Sequence, residues 1–359
     1  MLRFFKKKDY TAVVGPKGTE LTVPGGGRLL DAALEAGLDW PHDCRVGSCG
    51  ACRCVLKSGD IKALTDFSYT LEIDDIRAGA ILACQTQLRS NIEVDVELGV
   101  GAVATESVSG IILAVESLTH DIVELSVALD HQAFAAAKAG QYADISVAGI
   151  DSPRSYSFAV NPADTSDERV RFFIRHVPGG EFTDWLFAAD RQGTRIKLSG
   201  PYGMFYQRAG TGRMICVAGG SGLAPIHALI EVGVREGVER DCTVLFGARA
   251  QRDLYYLDQL NALGHCWSGE FELIPVLSDE PADSSWAGAR GLVTEQLSAV
   301  AGAAGFDNDD QGYLCGPPPM VDAGVAALKD LGMQDDAIFF DRFLDASTQP
   351  GGRAGVPSE

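Results

Sequence analysis

The chain has 359 residues, of which 46% are hydrophobic and 22% are charged, a composition typical of a globular protein with two or three domains. A formal net charge of −19 excludes the basic surface that nucleic-acid binding requires. We find no uncharged apolar run of transmembrane length and no secretory signal. We therefore expect a cytoplasmic protein without a membrane span, whose nine cysteines are thiols or metal ligands.

The first 100 residues have the pattern of a small mixed sheet covered by one helix. Alternating apolar residues at 10–14 and 19–23 predict a hairpin, and residues 29–36 have helical spacing. A further alternating segment at 92–97 predicts a closing strand. We therefore expect an α+β domain of the β-grasp type over residues 1–100.

Four cysteines in this domain have the spacing of one iron–sulfur site. They are Cys44, Cys49, Cys52 and Cys84. Four residues and then two separate the first three, and the last follows far downstream, as in plant-type 2Fe–2S proteins. Gly47 and Gly50 allow the backbone to wrap the cluster closely. A zinc site or two disulfides is the alternative, but zinc knuckles usually present two short cysteine pairs, which this chain lacks. Cys54 is expected to be a buried thiol on a strand.

The second segment, residues 106–208, has the pattern of an antiparallel Greek-key β-barrel. Small residues at 99–105 link it to the first domain. Turn residues separate its predicted strands at regular intervals, which favours a barrel. These strands are predicted at 109–116, 122–129, 142–147, 156–160, 170–176 and 195–198.

The third segment, residues 211–345, has the pattern of a parallel α/β sheet. Short apolar runs alternate in it with helical stretches, which is typical of parallel strands joined by helices. The runs are at 214–218, 243–246, 272–276 and 312–315. The last residues, 346–359, are rich in Gly, Pro and Ser, and we expect them to be a disordered tail.

Two motifs in the barrel segment suit a flat ring that carries a pyrophosphate. In Arg154-Ser155-Tyr156-Ser157, an arginine, an aromatic ring and hydroxyl groups stand together where a predicted strand begins. Alone this tetrapeptide is a weak signal, because an ordinary strand has similar residues. It gains weight from the Gly179-Gly180 pair and Thr183 at an apparent helix start, where backbone N–H groups favour a phosphate.

Two motifs in the third segment suit a dinucleotide. An apolar strand runs into Gly219-Gly220-Ser221-Gly222, and Pro225 lies where a first helical turn would begin. Cys315-Gly316 ends another strand, and the carboxyl edge of a parallel sheet is where ligands bind. The alternative for Cys315 is a small buried side chain without a chemical role.

Taken in order, these motifs resemble those of the iron–sulfur flavoprotein reductases of multicomponent bacterial oxygenases. In that family a plant-type ferredoxin is fused to a ferredoxin–NADP reductase-like FAD domain and a nicotinamide domain. The resemblance covers residues 10–345 and is strongest to reductases of di-iron hydroxylases that act on phenol, toluene, alkanes or xylene. It implies a multidomain fold: β-grasp ferredoxin, FAD-binding barrel and NAD-binding α/β domain.

The resemblance implies a role for each residue of these motifs. Arg154 contacts the FAD pyrophosphate, Tyr156 stacks against the isoalloxazine, and Ser157 hydrogen-bonds near flavin N5. Ser157 and Cys315 are the expected catalytic residues. The remaining expected cofactor-binding residues are Ser155 on the same strand, Gly180 and Thr183 at the phosphate-binding helix, and Gly219, Gly220, Gly222, Pro225, Cys315 and Gly316 around the nicotinamide. The resemblance leaves open which phenylalanine of the segment 339–343 covers the flavin, because sixteen residues follow that segment.

The implied function is an electron relay from NADH through FAD and the 2Fe–2S cluster to a separate oxygenase. A separate partner is needed because the six histidines are scattered, with no Glu-x-x-His pair of a di-iron centre. The same relay could serve a Rieske dioxygenase, a desaturase or a deoxysugar dehydratase. A non-catalytic redox-sensing module is the alternative of another class. We expect the isolated protein to be a monomer.

The nucleotide preference depends on residues after the second parallel strand. Arg249 and Arg252 have the charge to bind a 2′-phosphate, whereas Asp253 has the acceptors for a free ribose hydroxyl. Because the surrounding segment is acidic and the resemblance favours NADH, we predict NADH as the electron donor.

Overall fold

The computed structural model describes residues 8–42, 45, 47, 50–71, 73–99, 105–150, 152–164 and 168–343. Its contacts divide the chain into two compact units. The first unit consists mainly of the residues up to 102, and the second contains nearly all of the remainder. No helix in the described ranges has the length and apolar character needed to cross a bilayer.

The described residues of the first unit form a mixed sheet with a helix against it. Their strands are β1 (Tyr10–Gly15), β2 (Thr19–Val23), β3 (Arg53–Ser58), β4 (Ile61–Ala63), β5 (Ala80–Leu82), β6 (Thr86–Leu88) and β7 (Ile92–Asp95), and their helices are α1 (Leu29–Glu35) and α2 (Ile73–Arg77). The main sheet has the order β2-β1-β7-β3-β5, in which only β1 and β7 are parallel. This is the predicted β-grasp architecture.

Helix α1 and the sheet enclose the core of the first unit. The helix buries Leu29, Leu30, Ala32 and Ala33, which share one face at helical spacing. They pack with Trp40 and with the inward residues of the strands. Full burial of one leucine side chain contributes about 1.5–3 kcal/mol, so this face accounts for the position of the helix.

The described residues that open the second unit form a six-stranded antiparallel sheet. Their elements are β8 (Glu106–Ser117), β9 (Ile122–Leu129), β10 (Tyr142–Ser146), β11 (Arg154–Ser157), β12 (Arg169–Arg175), α3 (Glu181–Ala188) and β13 (Arg195–Tyr202). The strand order is β11-β10-β13-β8-β9-β12. A bridge between Phe158 and Phe172 joins the two ends of this order, so the sheet curls into the predicted barrel. The strand predicted at 156–160 lies earlier, because β11 pairs from Arg154 with β10.

The rest of the second unit is a parallel sheet with helices on both faces. Its elements are β14 (Met214–Gly219), α4 (Leu223–Glu236), β15 (Cys242–Ala248), α5 (Leu257–His265), β16 (Phe271–Leu277), β17 (Ala289–Arg290), α6 (Leu297–Ala301), β18 (Gln311–Gly316), α7 (Pro318–Asp330) and β19 (Ile338–Arg342). The order is β17-β16-β15-β14-β18-β19, and all neighbours are parallel. The predicted α/β architecture is therefore present, with β17 and β19 added at the two edges.

The central strand β14 is buried along its whole length. Its alternate residues enter two different cores: Cys216 and Ala218 face α4, whereas Ile215 and Val217 face the opposite side. A strand buried on both faces has a continuous apolar sequence, as this one does. Because parallel strands end at one edge, the loops after β14, β15 and β18 meet there.

Candidate functional site: a cluster loop, a barrel strand and a sheet edge

Two of the four predicted cluster ligands are described by the structure, and they lie together. Cys52 immediately precedes β3 and Cys84 follows β5 in a short 3-10 turn. The pairing of β3 with β5 brings them close: the Cys84 N–H donates to Cys52 Sγ over 3.5 Å. Both side chains are at most 2% exposed. Cys44 and Cys49 lie outside the described residues.

The surroundings of these two thiols fit an iron–sulfur cluster. Gly47 and Gly50 have φ values of 87° and 76°, a left-handed backbone that favours glycine. A methyl group on Gly47 would lie 2.7 Å from Gln85 Cγ, so the loop passes too close for a larger residue. An N–H···S contact is the kind of hydrogen bond that cluster sulfurs accept. Cys54 is 2% exposed on β3, as predicted, and its burial raises the pKa of its thiol.

The predicted FAD-binding residues lie at one place on the barrel. Strand β11 and the start of α3 are neighbours, because the Tyr156 and Phe182 rings are 5.4 Å apart. Arg154 Nη2 also lies 3.9 Å from Glu181 Oε2. Thus Arg154 and Tyr156 are next to the helix that begins after Gly180, as the motifs separately suggested.

The side chains of β11 differ in what they contact. Arg154 donates to the carbonyls of Ser152 and Pro153, over 2.8 and 3.1 Å, which fixes its guanidinium. Ser155 donates to Asp144 Oδ1 on β10 over 2.6 Å. The Ser157 side chain is buried, yet its hydroxyl has no hydrogen-bond partner among the described residues. A hydroxyl of this kind is available to a ligand.

Gly180 and Thr183 shape the start of α3. A methyl group on Gly180 would lie 2.8 Å from the Val177 carbonyl oxygen, so this position has no room for a side chain. The Thr183 hydroxyl accepts from the Val177 N–H and contacts the Val177 carbonyl, over 3.1 and 3.0 Å. Its hydroxyl therefore holds the preceding loop, and the backbone N–H groups at the helix start remain for an anion.

The two dinucleotide motifs meet at the carboxyl edge of the parallel sheet. Strands β14 and β18 pair with Ala218 opposite Cys315. A methyl group on Gly222 would lie 2.2 Å from the Cys315 carbonyl oxygen. Gly316 has a φ of 148°, and a methyl group there would lie 3.0 Å from the Gly219 carbonyl oxygen. These close approaches need glycine at each position, and Pro225 lies in the first turn of α4 beyond them.

The structure separates the three phenylalanines near the end of the described chain. Phe339 packs on the Tyr313 ring, at 5.2 Å, and Phe340 lies on the opposite face of the sheet. The Phe343 N–H donates to the Gly316 carbonyl over 2.8 Å. Phe343 is therefore the one of the three that lies beside Cys315-Gly316.

A cavity of about 380 Å³ lies beside this edge. The sequence indicated its residues after β15, but not the barrel residues that complete its lining. Its lining combines barrel residues with loops after β15 and β16: His120, Arg175, Arg249, Ala250, Arg252, Asp253, Asp279 and Pro281. Arg175 donates through Nε to Asp121 over 2.8 Å, and its Nη1 would lie 3.4 Å from a methyl group on Gly220. Arg175 is the last residue of β12, directly after the apolar run Phe172-Phe173-Ile174, and a charge at that position was the signal that could have found it.

A second polar group joins the barrel to the parallel sheet. Tyr256 donates to Glu124, and Arg171 Nη1 lies 3.8 Å from the same carboxylate. Burial and the Glu124 carboxylate raise the pKa of the Tyr256 phenol. On α4, His227 Nδ1 donates to the Ala159 carbonyl over 2.7 Å, and burial lowers the pKa of His227 to about 4. His227 is thus a neutral residue with a structural role at this junction.

Comparison with known proteins decides the family. Family models match the 2Fe–2S iron–sulfur cluster binding domain at residues 13–89, the oxidoreductase FAD-binding domain at 110–206 and the oxidoreductase NAD-binding domain at 216–325. The chain is 42% identical to the xylene/toluene monooxygenase electron transfer component XylA of Pseudomonas putida, over 96% of this chain and 99% of that one. The chain belongs to the iron–sulfur flavoprotein reductases of oxygenase systems.

Two further members of this reductase family are similar over almost their whole lengths. The reductase component of the naphthalene 1,2-dioxygenase system of Pseudomonas putida is 33% identical, over 95% of this chain and 99% of the relative. The crystal structure of the Amycolatopsis cytochrome P450 reductase GcoB has a TM-score of 0.76 at 29% identity, and the match covers 93% of this chain and 98% of GcoB. The predicted family, fold class, 2Fe–2S, FAD and NAD(H) cofactors and electron-transfer activity are confirmed. The type of oxygenase is not decided by the family.

Proposed function

We propose that this chain is the NADH-dependent reductase of a di-iron monooxygenase that hydroxylates aromatic or aliphatic hydrocarbons. The observation that carries this proposal is the 42% identity with the xylene/toluene monooxygenase component over nearly the full length of both chains. The oxygenase or hydroxylase component of the same system is then its partner. The reduced cysteines expected from the sequence support a cytoplasmic location. We propose that the isolated chain is a monomer.

FAD and the 2Fe–2S cluster supply the electron-transfer chemistry, and the residues of this chain bind and orient them. When bound, FAD takes a hydride as two electrons and releases them singly, as the one-electron 2Fe–2S cluster requires. We assign Cys44, Cys49, Cys52 and Cys84 as the cluster ligands, with the Cys84 N–H as a donor to sulfur. These four cysteines must lose their thiol protons to bind iron, and burial protects the bound site from solvent.

The flavin assignment rests on the contacts of β11. Arg154 is fixed by two carbonyls and is half exposed, so it can bind a pyrophosphate without rearrangement. Tyr156 packs one side on Phe182 and offers its ring to the isoalloxazine. Ser157 supplies the uncommitted hydroxyl that we assign to flavin N5, and Ser155 anchors the strand through Asp144. Phe343 lies at the sheet edge and is our candidate for the aromatic that covers the flavin.

The nicotinamide assignment rests on the sheet edge and the cavity beside it. The close packing of Gly219, Gly222 and Gly316 joins the loops after β14 and β18 beside Cys315, and the partly exposed Gly220 is where a nicotinamide dinucleotide can approach the backbone. Pro225 fixes the first turn of α4 behind that surface. Arg175 lies next to Gly220 and provides a cation for the dinucleotide phosphates.

The cavity supports NADH as the donor. Asp253 accepts from the Ala250 N–H over 3.0 Å and lies 3.2 Å from His120 Nδ1, so its carboxylate is held in the lining. A fixed carboxylate binds a ribose hydroxyl and repels a 2′-phosphate. The Arg252 side chain is 77% exposed and therefore binds a phosphate weakly. We expect NADH to be preferred at least tenfold in kcat/KM, which is about 1.4 kcal/mol.

Reconstitution with purified oxygenases tests which type of oxygenase accepts electrons from this reductase. The purified reductase is mixed with a xylene/toluene-type di-iron hydroxylase or with a Rieske oxygenase, and hydroxylated product per NADH is measured for each. We expect coupled turnover with the di-iron hydroxylase and NADH oxidation without product with the Rieske enzyme. Turnover with the Rieske enzyme alone would move the assignment to the second candidate, which the 33% identity with the naphthalene dioxygenase reductase favours.

A further inference from the structure

Helix α1 begins at a residue that general rules disfavour. Its N-cap is Arg28, which has φ −89° and ψ 147° and makes no side-chain capping hydrogen bond. Ser, Thr, Asp and Asn are preferred at this position, and a cation at a helix N-terminus opposes the helix dipole. Local rules are broken most often where a residue has another task. Asp31 offsets the charge through contacts of 2.6 and 3.2 Å with the Arg28 guanidinium.

The guanidinium has a second contact, in the loop that carries the predicted ligands Cys44, Cys49 and Cys52, which we call the cluster loop. Arg28 Nη1 donates to the Arg45 carbonyl over 3.2 Å. Gln85, next to the predicted ligand Cys84, donates to the same carbonyl over 3.3 Å. Arg45 itself has a φ of 55°, a left-handed conformation that a residue with a side chain rarely adopts. A strained residue persists only where its surroundings hold it, and two side chains hold this one.

A third side chain fixes the next described residue of the loop. Thr70 Oγ1 donates to the Gly47 carbonyl over 2.5 Å. The carbonyls of Arg45 and Gly47 are thus both bonded to side chains. Hydrogen bonds to the sulfurs tune the reduction potential of a cluster. A side chain that donates to a carbonyl fixes the orientation of that peptide group, and therefore of the backbone around the cluster.

We propose that Arg28 is a positioning residue for the 2Fe–2S cluster, which holds the strained turn at Arg45 and raises the reduction potential of the cluster through its cation. This inference rests on the proposed cluster ligands Cys44, Cys49, Cys52 and Cys84. The hydrogen bond from Arg28 to the Arg45 carbonyl should affect the lifetime of the cluster, and the charge of Arg28 should affect its reduction potential. The two effects can therefore be measured separately. Asp31 orients the guanidinium, and Gln85 shares its acceptor.

Four variants of the loaded protein test the proposal. Arg28→Ala removes bond and charge, Arg28→Gln removes the charge, and Arg28→Lys keeps the charge without the fork that reaches both Asp31 and Arg45. The matched control is Arg77→Gln, because Arg77 is paired with Asp74 three residues away, as Arg28 is with Asp31, and has no contact with the described loop residues. The readouts are the rate of visible bleaching by an iron chelator and the ratio of reduced to oxidised cluster against a redox dye.

We expect Arg28→Ala to bleach about tenfold faster than the wild type, and Arg28→Gln to lower the reduced-to-oxidised ratio about fivefold. Arg28→Lys should keep the ratio within twofold and still bleach faster, and Arg77→Gln should change neither readout by more than twofold. If Arg28→Ala does not take up the cluster, the two readouts of Arg28→Lys and Arg28→Gln test the proposal. Wild-type ratios and bleaching in Arg28→Gln and Arg28→Lys would overturn the proposal, as would a lower melting temperature with both readouts unchanged. A wild-type protein without labile sulfide would instead overturn the cluster itself.

Discussion

The proposed nicotinamide edge of the parallel sheet and the proposed cluster loop are built by different means. At the sheet edge, backbone packs directly on backbone, and a methyl group on Gly222 would lie 2.2 Å from the Cys315 carbonyl oxygen. At the cluster loop, side chains hold the backbone: Arg28 and Gln85 both donate to the Arg45 carbonyl. The sheet edge therefore depends on glycines, which have no side chain. The cluster loop depends on the side-chain hydrogen-bond donors of particular residues. Substitutions should therefore fail for opposite reasons at the two places.

The largest effect is expected at the cluster ligands. Cys84→Ala removes one of four thiolates, so iron and acid-labile sulfide should fall from about two each per chain to nearly none. The matched control is Cys54→Ala, since Cys54 is equally buried in the same unit but is not a proposed ligand. Metal and sulfide analysis checks both variants. A cluster that survives in Cys84→Ala, or is lost in Cys54→Ala, would show that the ligand set is wrong.

The next effect tests the sheet edge. Gly222→Ala places a methyl group against the Cys315 backbone, so the edge must shift, and NADH-driven flavin reduction should fall about a hundredfold. FAD content should stay near one per chain, because the barrel is not altered. Gly237→Ala is the control: Gly237 has a φ of 67° but open space around its Cα, so we expect about 1 kcal/mol of lost stability and normal NADH kinetics. Stopped-flow absorbance measures the rates, and equal rates in the two variants would contradict the packing argument.

A smaller effect is expected at the junction between the barrel and the sheet. Burial lowers the pKa of His227 from 6.5 to about 4, with the Arg171 guanidinium acting in the same direction. The unfolded chain therefore binds a proton that the folded chain does not, and stability is lost as the pH falls from about 6.5 towards 4. Between pH 7 and pH 5 this loss is about 2 kcal/mol.

Denaturant unfolding of the wild type and of His227→Gln at the two pH values checks this prediction. The glutamine variant should be less stable at pH 7, and its loss between pH 7 and pH 5 should be smaller by about 2 kcal/mol, because it has no imidazole to protonate. An identical pH dependence in the two proteins would show that His227 is not buried as a neutral ring.

The smallest effect concerns the cavity beside the sheet edge. Arg175→Gln should raise the KM for NADH and for NADPH by the same factor, about tenfold, because the dinucleotide phosphates are common to both. Arg249→Gln is the matched control, since Arg249 lines the same cavity. It is a candidate contact of the 2′-phosphate, so this variant should affect NADPH only. Steady-state ferricyanide reduction measures the KM for NADH and for NADPH in each of the two variants. A change for one nucleotide alone in Arg175→Gln would place Arg175 at the 2′-phosphate instead.

The sequence was sufficient where a pattern is local. The helical spacing of residues 29–36 predicted α1, and the apolar runs at 214–218 and 312–315 predicted the two strands that carry the nicotinamide motifs. Their adjacency followed from a general property of parallel sheets and is what the register of Ala218 with Cys315 shows.

The remainder depended on contacts between distant residues. The cavity forms only because the turn at His120 meets loops that follow β15 and β16, more than a hundred residues later. Strand β17 has two residues, too few for any periodic pattern. No local pattern marks Arg28, and its contact with Arg45 could be found only in three dimensions. Glu124, a charge within the apolar strand β9, was the one local hint of the polar group around Tyr256.

The central claim is that electrons reach the hydroxylase partner only through the cluster. It is tested most directly by measuring two acceptors side by side in the wild type and in Cys84→Ala, with NADH as donor. Ferricyanide can take electrons from the flavin, whereas the hydroxylase partner needs the cluster. We expect Cys84→Ala to keep more than about half of the ferricyanide activity and to lose hydroxylase-dependent product formation entirely. Product formation without the cluster, or loss of both activities while FAD remains bound, would contradict it.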